Sequence, residues 1–158
     1  MKGWKKKLLI GLAIFVVLVT GYVIGFNIYA AKQLDEVVAI ADKFQPPANW
    51  TLVEETKRSN TLPFGCIPNE CPKVYRRYSF KPVSYEDVSS VVKVITGSGL
   101  VDVKDIKCEP AGNGYGQVSY CGTNTYAFYG KYRIFINIFG THTSESETIE
   151  GVVVSVKG

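Results

Sequence analysis

The chain has 158 residues, 46% apolar and 20% charged, which is room for one folded domain plus an appendage and an ordinary composition for a folded protein. Its net charge of +4 comes from 18 basic against 14 acidic residues, and Lys2, Lys5, Lys6 and Lys7 account for all of the excess. Beyond residue 7 the chain is neutral, which excludes the net basic domain that phosphate-backbone binding requires, so no nucleic-acid partner is expected. A local basic cluster at Lys73, Arg76 and Arg77 reads as one solvated sheet face.

The segment LLIGLAIFVVLVTGYVIGFNIYA, residues 8–30, is uncharged and apolar on every side. As a helix it spans roughly 34 Å at about 1.5 Å per residue, enough to cross a ~30 Å hydrocarbon core. A cleaved signal peptide has a shorter apolar region and a small-residue cleavage site, and Ile28-Tyr29-Ala30 matches one poorly. An uncleaved anchor is therefore expected. The lysines before it keep the N-terminus cytoplasmic and place residues 31–158 outside the cytoplasm, with the bilayer as the partner of residues 8–30. Gly21 and Gly25 form a G-x-x-x-G that lets a second helix approach closely, although glycines are common in spanning helices.

In KQLDEVVAIADKF, residues 32–44, the residues Leu34, Val37, Val38 and Ala41 form a helical stripe that Pro46-Pro47 ends. The simplest picture is one helix that leaves the membrane and packs its stripe on the outer domain. The expected organisation is a basic tail at 1–7, a transmembrane helix at 8–30, a helical stalk and linker at 31–47, and an extracytoplasmic domain at 48–158. Asn49-Trp50-Thr51 is a glycosylation sequon at the end of the stalk.

The outer domain opens with two expected strands, 50–58 and 73–81, the second with Val74, Tyr78 and Phe80 on one face. SYEDVSSVVKVI predicts a helix capped by Ser84 with Asp87 three residues on, with Val88, Val91, Val92 and Ile95 as its apolar stripe and Gly97 and Gly99 at its end. Strands are expected at 103–109 and 115–121 about the turn PAGNG, then over 125–139 and 148–157. The segment 125–139 reads as one long strand or as two folded at Gly130-Lys131. The fold class is thus an N-terminal transmembrane helix plus a small α+β domain. Its mostly antiparallel sheet has about five or six strands, with one amphipathic helix on one face.

Outside the cytoplasm the four cysteines read as two disulfides. Cys66 and Cys71 flank a Pro68-Asn69 turn, and Cys108 and Cys121 lie at similar distances from the centre of PAGNG, so the pairs 66–71 and 108–121 are expected. A thioredoxin-like pair needs C-x-x-C at a helix start, and Pro68 and Pro72 disfavour one there. A zinc site usually takes two close pairs, whereas Cys108 and Cys121 stand far apart in sequence. No metal and no cofactor are expected.

His142 is the only histidine. It sits in GTHTSESE, where neighbouring residues of one loop do not assemble a triad, and a solvated loop histidine is the plainer reading. Glu54-Glu55 and Glu86-Asp87 are adjacent carboxylates, which face opposite ways in a strand, and Asp87 serves the helix cap. No catalytic residue is assigned. Tyr115, Tyr120, Tyr126, Phe128, Tyr129, Tyr132, Phe135 and Phe139 crowd the last third. They are ordinary strand formers, and they also offer contact area and hydroxyls to a binding surface. The candidate surface is Tyr129 and Tyr132 with His142 and its loop.

The expected function is a membrane-anchored extracytoplasmic binding or assembly module without catalysis, contacting a protein partner or itself. An apolar N-terminal helix running into an outer α+β domain resembles the pilin plan. This chain lacks the glutamate near the start of the apolar helix and the processing site before it. A membrane-tethered enzyme is the third reading, and a deep pocket with converging Asp, Glu or Tyr groups is what it requires.

Overall fold

A computed structural model describes residues 2–59, 72–110, 115–123 and 127–158. The first helix, α1, runs unbroken over Lys2–Ala41 and joins the apolar segment and the stalk in one rod. The apolar part is exposed over residues 8–25, with Ala30 at its end buried, and is long enough to cross a membrane. Its one amide side chain, Asn27, donates to the Val23 carbonyl at 2.8 Å, so the helix backbone itself satisfies that polar group. The stalk buries the expected stripe: Val37, Ile40 and Ala41, then Phe44 just past the helix, enter the core, with Leu34 and Val38 partly buried beside them.

The rest is an antiparallel sheet of seven strands: β1 (Thr51–Arg58), β2 (Lys73–Ser84), β3 (Ile106–Cys108), β4 (Gly116–Thr123), β5 (Ala127–Tyr129), β6 (Tyr132–His142) and β7 (Glu147–Lys157). The order across the sheet is β1-β2-β7-β6-β4-β3, and β5 also pairs with β6. The segment expected at 125–139 is two strands, because Gly130 turns between β5 and β6 at φ 61°, a conformation a residue without Cβ adopts at little cost. The short helix α2, Val88–Gly97, adds Val91 and Ile95 to the same core.

Two local readings are corrected. Ser84 Oγ accepts from the Glu86 backbone N–H at 3.3 Å, which opens a 3-10 turn over Tyr85–Asp87. α2 starts only at Val88, and the Asp87 side chain caps nothing. A serine bonding two residues ahead closes a tighter loop than the expected capping box. Residues 103–109 are likewise not one strand. Asp102 and Asp105 bond each other's backbone groups in a 3-10 turn over Val103–Asp105, leaving β3 three residues long.

One face of the sheet is covered. Val74, Tyr78 and Phe80 of β2, Ile134, Ile136 and Ile138 of β6, and Val152, Val154 and Val156 of β7 lie against α1 and α2 in one continuous core. Burying side chains of this kind contributes about 1.5–3 kcal/mol each relative to exposure. The opposite face carries the intervening residues of the same strands, and among the described residues no helix lies on it.

Candidate binding face

The residues singled out from the sequence divide between the two faces. Tyr132 is buried, and its hydroxyl donates to Glu36 of α1, which Lys131 also contacts at 3.1 Å. Tyr129 is bonded through its hydroxyl to Lys43, whose ammonium lies 4.4 Å from the tyrosine ring centre. Both tyrosines therefore contact the chain's own stalk, Tyr132 buried against it and Tyr129 half-buried. Phe128, next to Tyr129 in β5, is 67% exposed on the other face.

His142 is not a loop residue. It ends β6 opposite Glu147 of β7, is half-buried, and stacks on Tyr115 with ring centres 5.2 Å apart. Its Nδ1 is 3.0 Å from a Glu147 carboxylate oxygen, an ion-pair distance without hydrogen-bond alignment. The loop proper is Thr143–Ser146, closed by Thr143 Oγ1 accepting from the backbone N–H groups of Glu145 and Ser146.

Cys108 and Cys121 are direct partners across β3 and β4 and are joined by a disulfide, as their spacing predicts. Cys66, Cys71 and the centre of PAGNG lie outside the described residues, as does Tyr126. Gly21 and Gly25 lie on the exposed part of α1 with nothing within 4 Å of an added Cβ.

The basic cluster is split by strand alternation. Arg76 points into the covered face and is 8% exposed. Its guanidinium donates to Asp42 at 2.6 Å and to Glu55 at 2.8 Å, tying the end of α1 to β1 across β2. Burial would lower the pKa of Arg76, and the bonds to Asp42 and Glu55 outweigh it, so the charge is held more firmly than usual. The bonds from Lys57 and then Arg76 hold the Glu55 carboxyl below its usual value. These shifts belong to a structural ion pair and not to a cleft.

Lys73 and Arg77 stand on the uncovered face, which the sequence reading did not assign as a site. Its middle strand, β7, presents small residues: Ser155, Val153 and Gly151. Tyr75 and Arg77 of β2 flank them on one side, and Phe135, Asn137 and Phe139 of β6 on the other. The result is a shallow trough along β7, continuing over Ser119 of β4. Gly151 makes room for the Phe139 ring. A Cβ there would lie 2.3 Å from the Phe139 ring and 2.5 Å from the Tyr78 carbonyl oxygen. The ring thus lies across β7, with the Arg77 guanidinium 4.5 Å from its centre. Ser119 donates to Asn137 at 2.6 Å, and Lys107 and Glu109 line the same depression. Among the described residues no group of three His, Cys, Asp or Glu side chains is placed to hold a metal ion. The site offers aromatic surface, amide and hydroxyl groups and positive charge, which are means of binding.

The trough was missed because its small floor and its walls come from strands far apart in sequence. Compared with known proteins, the chain matches no family model, no curated protein and no solved structure.

Proposed function

We propose that the chain is a single-pass membrane protein, N-terminus cytoplasmic, that holds a binding module at the outer membrane surface and carries out no chemistry of its own. The observation that carries this reading is the continuity of α1. Its exposed apolar part matches a bilayer in length, and its last turns are part of the sheet's own core. A module joined this way is held at a set height and orientation, which suits contact with something nearby. The trough along β7 is the proposed contact surface, in place of Tyr129, Tyr132 and His142. Its aromatic walls fit an extended ligand, a peptide or a glycan strand, lying along the sheet.

The test is a photo-crosslinking amino acid at Phe135, with the same group at Lys93 of α2 as the comparison site. A discrete adduct from Phe135 and none from Lys93, formed in intact cells, is the expected outcome. No adduct above background at Phe135 would remove the trough as a contact surface. Labelling of Cys108 and Cys121 by a membrane-impermeant thiol reagent only after reduction checks the topology.

A further inference from the structure

Four positive side chains stand in one row across the uncovered face. Arg58 of β1 lies directly opposite Lys73 of β2, Lys73 opposite Lys157 of β7, and Lys157 opposite Arg133 of β6. Arg133 is in turn opposite the exposed Phe128 of β5. Direct partners share a face, and their Cβ atoms are about 4.5–5.5 Å apart. Like charges so placed repel. Among the described residues, Arg58, Lys73 and Lys157 have no carboxylate at ion-pair distance. Those three charges, directly opposite one another, raise the free energy of the isolated fold and are relieved by an anion lying across them.

The helix says which anion is near. α1 crosses the covered face from Glu36, held by Tyr132 and Lys131, to Asp42 on Arg76 and Phe44 on Tyr78. The apolar segment therefore leaves the domain at the end where β6 begins, and the row begins there too, one residue beyond Tyr132. Glu36 is six residues past Ala30, about 9 Å along the helix axis. The row thus stands close to one Debye length, about 8 Å at physiological ionic strength, from the end of the apolar segment. Trough residues further along the sheet, Arg77 among them, are about 13 Å more distant at ~3.3 Å per residue.

We propose that Arg58, Lys73, Lys157 and Arg133, ended by Phe128, form a docking edge for the phosphates of anionic lipids in the bilayer that α1 spans. Phe128 takes the place of an interfacial aromatic beside them. The proposal rests on the anchored reading above. It adds that the domain leans its uncovered face onto the membrane, so bilayer charge controls how open the basic end of the trough is.

The full chain is reconstituted in vesicles of phosphatidylcholine alone and of phosphatidylcholine with phosphatidylglycerol. A fluorescent amino acid replaces Thr56, one row beyond the charges, and nitroxide-headgroup lipid serves as quencher in both. Quenching should be stronger in the anionic vesicles and should fall in high salt. Lys73→Gln and Lys157→Gln should each lower the ratio of docked to undocked domain about fivefold. Arg77→Gln, on the same face but distant, should leave it unchanged and controls for folding and net charge. Equal quenching in both vesicle types overturns the proposal, as does an Arg77→Gln loss equal to that of Lys73→Gln. A response to added polyglutamate in neutral vesicles, with none to phosphatidylglycerol, reassigns the row to an acidic protein partner and also overturns it. Failure of the chain to float with the vesicles refutes the anchored reading instead.

Discussion

The covered and uncovered faces of the sheet are built by the same strands, residue by alternate residue. On β6 the side chains of Ile134, Ile136 and Ile138 are wholly buried, while Arg133, Phe135 and Asn137 between them look out. On β2 Val74, Arg76 and Tyr78 go in, and Lys73, Tyr75 and Arg77 stay out. What separates the faces, among the described residues, is the stalk of α1 and the helix α2, which lie on one side. The difference teaches that polarity does not by itself choose the side. Arg76, the most polar of these residues, is on the covered face because Asp42 and Glu55 meet it there. Phe135 and Phe139, fully apolar, are on the uncovered one.

Substitutions can break this contrast, beginning with the backbone. Gly140 lies where β6 and β7 shift register, and a Cβ there would sit 1.8 Å from the Thr148 carbonyl oxygen. Gly140→Ala should cost on the order of 4 kcal/mol or leave the domain unfolded, read as the urea midpoint of the chain in detergent. Next is the core: Ile136→Ala should cost about 3 kcal/mol in the same assay, because the covered face cannot collapse around the void. Arg76→Ala should cost about 2 kcal/mol, less than a fully buried pair, because Asp42 and Glu55 can turn to solvent. Phe135→Ala on the uncovered face should change the midpoint by less than about 0.5 kcal/mol, and a core-sized loss would mean that this face is packed in solution.

The smallest effect is one of pH. The folded Glu55 carboxyl is depressed by Lys57 and Arg76, so its contribution is fully present above its unfolded value, near 4.5, and is lost as pH falls through the lower folded value. Stability should therefore decline on acidification below about pH 4.5, and Glu55→Gln should flatten that part of the profile. An unchanged acid limb in the variant would place the titration elsewhere.

Much of the architecture follows from the chain itself, because the signals are local. The uncharged run at 8–30 and the stripe at Leu34, Val37, Val38 and Ala41 specify one helix, apolar all round at first and one-sided after that. Period-two patterns specify the strands, and the even spacing of Cys108 and Cys121 about a turn specifies their pairing. Serine and aspartate chemistry was the least legible, since the same side chains at 84, 87, 102 and 105 close either a capping box or a tighter turn. The tertiary structure alone decided which residues share a surface. It turned Tyr129 and Tyr132 toward the stalk, separated Arg76 from Lys73 and Arg77, and aligned Arg58, Lys73, Lys157 and Arg133 across four strands. The reason is physical: period-two alternation tells a strand's two sides apart, but register and strand order, set by long-range pairing and by which side a helix covers, determine what stands beside each residue.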